Sequence, residues 1–291
     1  MTSRTPALPP LPDRGLLADL CREAAERERV QAVAVEKDFY LTRVLWALAQ
    51  VMGNKLLLKG GTLLSKVDVG FRRMSEDADL VLPGAPSRQR RDNVVALNEV
   101  RAALRTSAGV IGVRLPYPDG EHHDKGAHRL WKLDYDSEFG AQSVSLEVSR
   151  RPVLRTPRRM RLGQLLVDEL IGSYEAAFSH ALSEDEGRAE KVRAAFTREA
   201  IRDFYDLEQL DLAGKDFTSA AFIELVDAKL AELGAEPLAK QGAGFGMNSE
   251  RRKALEASLA KELPAVLRTD APRFDLDATL SRFDALWGKR P

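Results

Sequence analysis

The sequence predicts an α+β fold, in which a mixed sheet with helices is followed by an all-helical C-terminal part. Short apolar runs bounded by Gly and Pro, which are typical of strands, lie before residue 150. Beyond residue 161 the apolar residues recur at helical spacing. The chain has 291 residues, which suits two domains, and its 44% hydrophobic content can fill a sizeable core.

The predicted elements follow in order along the chain. Helices over 14–30 and 36–52 precede a short strand over 55–58, a glycine turn at 60–61 and a helix over 62–67. A strand over 78–82, a helix over 88–106 and strands over 129–136 and 143–149 come next. Later helices are expected over 162–181, 185–196, 199–211, 217–233, 249–262 and 275–287. We therefore expect a flexible proline-rich arm (1–13), an α/β domain (14–160) and a helical C-terminal domain (161–291).

Charge and cysteine content narrow the class of protein. Lys plus Arg and Asp plus Glu number 44 each, so a site for a polyanion must be a local patch rather than a property of the whole surface. Cys21 is the only cysteine, so no internal disulfide can form, and a cytoplasmic location is expected. No apolar run has the length of a membrane span, so no membrane association is expected.

A glycine pair, Gly60-Gly61, follows the strand over 55–58 and precedes a predicted helix. Glycine lets a backbone approach a phosphate closely, and a helix N-terminus favours an anion. Thr62 offers a hydroxyl or a helix cap. The pattern is not a Walker A motif, and an isolated glycine pair also suits an ordinary turn.

Two aspartates lie at the start of the strand over 78–82, Asp77 just before it and Asp79 within it. Residues two apart on a strand point to the same face, so these carboxylates project together while Ala78 and Leu80 face the other way. Paired carboxylates repel each other unless a cation lies between them. Mg²⁺ is the usual cation when the substrate is a nucleoside triphosphate.

A third carboxylate is expected from a neighbouring strand. In the strand over 143–149, Glu147 is the only charged residue on the polar face, and we favour it on this alternation. Asp134 and Asp136 on the preceding strand are rivals, which a solvated hairpin face would also explain. Glu76 lies off the face of the aspartates and is expected to be solvated.

Four sequence stretches resemble the AbiEii/MenT nucleotidyltransferase toxins. They are Lys59-Gly-Gly-Thr-Leu-Leu-Ser-Lys66, Arg73-Met-Ser-Glu-Asp-Ala-Asp-Leu80, Glu190-Lys-Val-Arg193 and Arg202-Asp-Phe-Tyr-Asp-Leu207. The glycine and Asp-x-Asp stretches are shared with the wider DNA polymerase β-like superfamily, and the last stretch is more specific. The resemblance implies a polymerase β-like mixed sheet. It implies that the first stretch holds phosphates and metal, that Lys191 contacts the nucleotide and that a late aspartate, Asp203 or Asp206, is essential.

The helical residues also fit this chemistry when they are considered by themselves. Asp203 and Asp206 lie three apart on one helix face, after Arg198 and Arg202. An isolated pattern of this kind is usually a solvated face with surface ion pairs. Beside a two-carboxylate site, however, a lysine (Lys191) and an aspartate oriented by arginine are what phosphoryl transfer requires.

Two further clusters of polar residues are candidates for binding. A basic run follows the strand of Glu147 and suits an RNA backbone as well as it suits a solvated linker; it comprises Arg150, Arg151, Arg155, Arg158, Arg159 and Arg161. His122, His123, Asp124 and His128 lie in a polar stretch without Cys, which favours a surface loop over a zinc site.

These observations predict a Mg²⁺-dependent nucleotidyltransferase toxin. It would transfer NMP from an NTP to an RNA acceptor, and the resemblance implies the tRNA 3′ end, inhibition of growth and a cognate antitoxin on a separate chain. The candidate catalytic residues are Asp77, Asp79, Glu147, Lys191, Asp203 and Asp206, the first three being the metal ligands, and the candidate nucleotide-binding residues are Lys59, Gly60, Gly61, Thr62, Lys66 and Lys191. The alternatives are transfer to a small molecule or protein, and a non-catalytic nucleic-acid-binding relative.

Overall fold

The computed structural model describes residues 7–70, 72–163, 165–166 and 178–288, and it divides into two compact units, 1–182 and 183–291. The first unit contains the helices α1 (Arg14–Glu28), α2 (Ala32–Met52), α3 (Gly60–Leu63) and α4 (Arg90–Ile111). Its strands are β1 (Leu57–Leu58), β2 (Asp77–Pro83), β3 (Glu121–His123), β4 (His128–Tyr135), β5 (Gln142–Arg151), β6 (Arg158–Arg161) and β7 (Phe178–Ala181). Among the described residues, no helix is both long enough and apolar enough to cross a bilayer.

One seven-stranded mixed sheet organises the first unit, with the strand order β3-β4-β5-β2-β1-β7-β6. β2 runs parallel to β5, and β1 runs parallel to β7, whereas the other neighbours are antiparallel. One face of the central strands is apolar, because Ala78, Leu80, Leu146 and Val148 are buried. The alternate residues of β2 and β5 carry the polar side chains, so the register decides which of them become neighbours.

The first unit ends later than the sequence suggested. The expected boundary at residue 160 falls inside β6, and the expected helix over 162–181 ends instead in β7. β7 pairs with β6, and it pairs with β1 through Leu58 and Ala181, so this segment belongs to the sheet. Most of the expected helix, 167–177, lies outside the described residues.

The N-terminal segment is docked along its described part rather than free. Arg43 on α2 is buried, and it donates to Pro9 O at 2.9 Å and to Ile111 O at 2.9 Å, with Val110 O as a third acceptor. Leu11 packs against Gly112, where a Cβ would come within 2.2 Å of the Leu11 side chain. Arg43 thus donates hydrogen bonds to carbonyls at the C-terminal end of α4, and it also binds the segment that precedes α1.

The second unit is helical throughout its described elements, as the sequence predicted. Its helices are α5 (Glu184–Thr197), α6 (Ile201–Leu212), α7 (Ala220–Ala231), α8 (Ser249–Lys261), α9 (Leu263–Val266) and α10 (Leu276–Trp287). An aromatic cluster forms its core, in which Phe245 contacts Phe204, Phe283 and Trp287 with ring centroids 5.1 to 5.7 Å apart. Large rings packed edge to face give this unit a specific core of its own.

Replacing Arg43 tests how the first unit closes its N-terminal end. Arg43→Met would leave buried carbonyls without a donor, so we expect a loss of about 2–4 kcal/mol. For a domain of this size that is a fall in Tm of roughly 5–15 °C in thermal unfolding. Arg105→Met, on the exposed side of α4, is the matched control and should shift Tm by only about 1–2 °C. Equal shifts in both variants would contradict the role given to Arg43.

Candidate active site

The acidic residues meet through the parallel pairing of β2 and β5. Asp79 lies directly opposite Glu147, and Asp77 lies opposite Ser145. Asp77 and Asp79 are partly exposed, while Ala78 between them is buried on the other face. The structure therefore brings together the three carboxylates that alternation selected. The rivals lie elsewhere, since Asp134 pairs with Ser143 and Asp136 binds Arg114.

Burial and repulsion between these carboxylates together disfavour a charge on Asp77. Burial, followed by Asp79 and then Glu147, raises the pKa of Asp77 above its ordinary value, although a hydrogen bond with Ser145 opposes the shift. Each neighbouring negative charge makes ionisation of Asp77 harder. A cation bound at this face would relieve that cost.

The carboxylate oxygens fit Mg²⁺ in their chemistry. Across the part of the chain that the structure describes, no three His, Cys, Asp or Glu side chains converge closely enough to enclose a metal by themselves. Mg²⁺ does not need such a cage, because it is held by one or two carboxylates and completes its shell with water and substrate phosphates. Asp77 and Asp79, with Glu147 on the adjacent strand, therefore suit a metal that arrives with a nucleotide.

The glycine pair makes room for two side chains of the site. Gly60 has a φ of +69°, and a Cβ there would lie 2.1 Å from Asp79 Oδ2. A Cβ on Gly61 would lie 2.5 Å from Arg73 Nη2. The Lys59 amide also donates to Asp79 O at 2.9 Å, which fixes the turn against β2. Glycine is thus required here because Asp79 and Arg73 lie against the backbone.

The helix after the turn differs from the one expected over 62–67. The α-helix Gly60–Leu63 has only four residues and continues directly as a π turn, Leu64–Asp68, which changes the direction of the later side chains. Thr62 is fully buried, and its hydroxyl donates to Asp77 O and lies 2.8 Å from Ser75 Oγ. Thr62 therefore positions the backbone of Asp77 and does not reach a ligand.

Three basic side chains lie near the glycine turn and the start of β2, and two of them, Lys37 and Arg73, were not among the predicted site residues. Lys59 Nζ lies 3.5 Å from Asp79 Oδ1, and Lys37 Nζ on α2 lies 3.3 Å from Glu76 Oε1. Arg73 is buried and donates to Met74 O at 3.0 Å. Glu76 is thus ion-paired rather than only solvated. The sequence signal for Arg73 was its place four residues before Asp77, while Lys37 is brought to Glu76 by the tertiary fold alone.

Lys66, a candidate nucleotide-binding residue, is a core residue in the structure. Its ammonium donates to Asp38 Oδ1 at 2.5 Å, to Thr42 Oγ1 at 2.8 Å and to Gly163 O at 3.2 Å. Only 1% of the Lys66 side chain is exposed. Three N–H donors with three acceptors, two of them buried, leave no donor for a phosphate. The structure thus places Lys66 in the core and not among the nucleotide ligands.

The histidine cluster lies beside the site rather than in a remote loop. β3 and β4 form a hairpin in which His123 pairs with His128, and their ring centroids are 5.4 Å apart. His128 Nε2 lies 3.3 Å from Glu147 Oε2. His128 therefore orients the third carboxylate, a contact that the sequence could not show because 19 residues separate the two along the chain.

The basic run is divided by the structure into two kinds of residue. Arg158 is engaged with Asp68 and donates to Leu182 O at 3.0 Å, and Arg150 Nη1 lies 3.4 Å from Asn93 Oδ1. Arg155 and Arg159 are exposed, as is Arg161 at the end of the edge strand β6. The part of the run that can reach an external polyanion is thus smaller than the sequence suggested.

A buried ion cluster in the second unit contains the predicted helical residues. Lys191 Nζ on α5 lies 2.9 Å from Asp203 Oδ1 and 2.7 Å from Asp206 Oδ2, both on α6. Arg198 makes two hydrogen bonds to Asp203, at 2.5 and 2.8 Å. Burial opposes ionisation of Asp203, but Lys191 and Arg198 hold its pKa well below the usual range. The expected lysine, arginine and aspartates therefore meet within this unit.

Arg251 on α8 supports this cluster and was missed by the sequence argument. It is buried, and it donates to Ala195 O and to Arg198 O at the C-terminal end of α5, the second bond being 3.2 Å long. These bonds anchor the link between α5 and α6, from which Arg198 reaches Asp203. Its stretch of the chain carried no recognisable motif.

Comparison with known proteins identifies relatives over nearly the whole chain. A family model described as nucleotidyl transferase AbiEii toxin, type IV TA system, matches residues 43–288. The search of curated proteins gave no match.

Solved structures share the fold at low sequence identity. MenT4, a nucleotidyltransferase toxin of Mycobacterium tuberculosis H37Rv, is 19% identical with a TM-score of 0.65, and the match covers 97% of this chain and 91% of that one. JHP933 of Helicobacter pylori is 15% identical with a TM-score of 0.50, covering 89% and 92%. A putative nucleotidyltransferase of H. pylori is 18% identical with a TM-score of 0.50, covering 89% and 95%. These matches confirm the predicted α+β fold class.

The assignment of Lys66 to the core can be tested by paired substitution. Lys66→Met leaves Asp38 buried without its cation and should cost about 3–5 kcal/mol in urea unfolding. The double variant Lys66→Met/Asp38→Leu removes both charges and should recover most of that loss. Nucleotide binding should persist in the folded double variant. If the double variant is stable but no longer binds any NTP, Lys66 contacts the nucleotide after all.

Proposed function

Since the chain belongs to the AbiEii nucleotidyltransferase toxin family of type IV toxin–antitoxin systems, we propose that it transfers NMP from an NTP to an RNA acceptor. The observation that carries the proposal is the row of Asp77, Asp79 and Glu147 across β2 and β5, beside the turn at Gly60. Such a row suits a divalent cation, and a cation there, with Lys59 beside Asp79, offsets the charge of a triphosphate. The acceptor we propose is the tRNA 3′ end, and the setting is the cytoplasm.

In the proposed reaction the acceptor hydroxyl attacks the α-phosphorus, the bond to the β-phosphate breaks and pyrophosphate leaves. Asp77 and Asp79 would hold Mg²⁺, which when bound would supply positive charge against the phosphates. Glu147 takes the hydroxyl proton, and His128, 3.3 Å away, keeps that carboxylate in place. Lys59 and the turn at Gly60-Gly61 receive the phosphates.

We also propose a role in catalysis for residues of the second unit, and this role rests on family resemblance. Lys191, Asp203 and Asp206 remain candidate catalytic residues, and their ion cluster gives them one fixed arrangement. A cognate antitoxin, encoded as a separate chain, is the proposed partner. Inhibition of growth follows if a blocked tRNA end cannot be aminoacylated.

The transfer reaction is tested with Asp77→Asn. Each α-labelled NTP is incubated with Mg²⁺ and total tRNA, and we expect label on tRNA from the wild type and a loss of at least about 1000-fold in the variant. Label on protein or on a small molecule would instead identify another acceptor. No label, with tRNA still retained on a filter, would indicate a non-catalytic RNA-binding protein.

The same variant separates loss of function from loss of folding. The pKa of Asp77 is higher in the folded protein than in the unfolded chain, so ionising Asp77 lowers the free energy of unfolding. The full loss is reached once the pH exceeds the raised pKa. Asn carries no charge, so at neutral pH and without metal Asp77→Asn should raise Tm by about 2–4 °C, on the order of 1 kcal/mol. A lower Tm would show that Asp77 stabilises the fold.

The exposed arginines give a separate test of the RNA acceptor. Changing Arg155, Arg159 and Arg161 to Gln should weaken tRNA binding and reduce the slope of log K against log salt by up to about 2–3, since each phosphate contact contributes roughly 0.7–0.9. Binding of the NTP should not change. The control is Arg14, Arg22 and Arg105 to Gln, three exposed arginines on α1 and α4. An equal effect in the control would mean that no local patch exists.

A further inference from the structure

The two aspartates of the proposed metal site have different partners, although they lie two residues apart on β2. Asp79 Oδ1 lies 3.5 Å from the Lys59 ammonium. Asp77 lies opposite Ser145 on β5, on the same face as Asp79 and Glu147. Asp79 is thus neutralised by the protein itself, whereas Asp77 is held among like charges.

Lys59 and Gly60 together hold Asp79 toward the turn. Asp79 Oδ1 is directed at Lys59, and Oδ2 occupies the place that a Cβ on Gly60 would take. The Lys59 amide donates to Asp79 O, so backbone and side chain of the same residue contact the same partner. The pairing is therefore built into the turn and does not arise from a chance encounter of surface chains.

The pair is nevertheless able to open. The 3.5 Å separation is longer than the 2.7–2.9 Å of a strong charge-assisted hydrogen bond. The side chains of Lys59 and Asp79 are 18% and 26% exposed, so water can solvate either group when they part. A triphosphate carries several negative charges and competes for the same ammonium.

We propose that Lys59 is an exchangeable counter-ion of Asp79. Without nucleotide, Lys59 neutralises Asp79 and keeps the site from holding a divalent cation tightly. An incoming triphosphate draws the ammonium to its phosphates, and Asp79 then joins Asp77 as a metal ligand. This inference rests on the proposed function. It makes metal and nucleotide binding mutually reinforcing through one side chain, because each favours the arrangement that the other requires.

The first experiment measures Mn²⁺ binding without nucleotide, from the loss of the free-ion electron paramagnetic resonance signal. Lys59→Met should bind Mn²⁺ at least about tenfold more tightly than the wild type, because a nearby positive charge is removed and Asp79 is released. Lys59→Gln should also raise the affinity for Mn²⁺. The control is Lys55→Met, which removes a lysine paired with Glu99 at 3.1 Å, and it should change the affinity by about twofold or less.

The second experiment measures binding of inorganic tripolyphosphate in EDTA by calorimetry. The wild type should bind it at least about tenfold more tightly than Lys59→Met, because the ammonium is the proposed phosphate partner. Equal Mn²⁺ affinities in the wild type and both Lys59 variants would overturn the inference. Tighter Mn²⁺ binding with unchanged tripolyphosphate binding would also overturn it, since no exchange would then occur.

The Asp77→Asn variant distinguishes failure of this inference from failure of the proposed function. If the wild type binds Mn²⁺ and Asp77→Asn does not, the metal site stands, and the Lys59 comparison alone decides the inference. If Asp77→Asn binds Mn²⁺ as the wild type does, the aspartates do not form the metal site, and the proposed function fails together with the inference. Thermal unfolding of each variant confirms that the protein compared is folded.

Discussion

The repulsion among carboxylates on β2 and β5 is the constraint on which the site depends. Parallel pairing places Asp79 beside Glu147, and strand alternation places Asp77 on the same face, so the fold forces three acids together. Nothing in a stable sheet favours this arrangement, because burial and like charges raise the pKa of Asp77. An arrangement that lowers the stability of a fold in this way is typical of a functional site. The position of Lys59 beside Asp79 fits the same constraint, since it offsets part of the negative charge locally.

Sequence alone predicted those features that depend on local periodicity. Alternation with period two selected Asp77, Asp79 and Glu147, and the structure places them as neighbours. The contribution of Lys37 on α2 could not be predicted, because it depends on tertiary packing. The strand β7 was also missed, since a four-residue strand in a longer apolar stretch carries too few residues for its period to be distinguished from that of a helix.

Composition and motif membership were weaker guides where a side chain's direction matters. Thr62 and Lys66 lie in the same short stretch as Gly60, and all three looked like phosphate ligands. In the structure Thr62 donates to the backbone of Asp77, and Lys66 points into the core toward Asp38. The π turn Leu64–Asp68 changes the angular spacing of an ordinary helix, so the direction of Lys66 could not be read from the sequence. A motif thus locates a site, but it does not show which of its residues bind a ligand and which ones support the fold.

Three lysine–aspartate pairs in this protein show what decides that division. Lys66 and Asp38 are 1% and 4% exposed and 2.5 Å apart, and Lys191 and Asp203 are 5% and 2% exposed and 2.9 Å apart. Separating either pair would leave a buried charge without its partner, which is energetically costly, so both pairs behave as fixed parts of the fold. Lys59 and Asp79 are the same two residue types, yet they are several times more exposed and 3.5 Å apart, so separating them costs far less. Burial, rather than residue type, therefore determines how readily a lysine can leave its aspartate for a substrate.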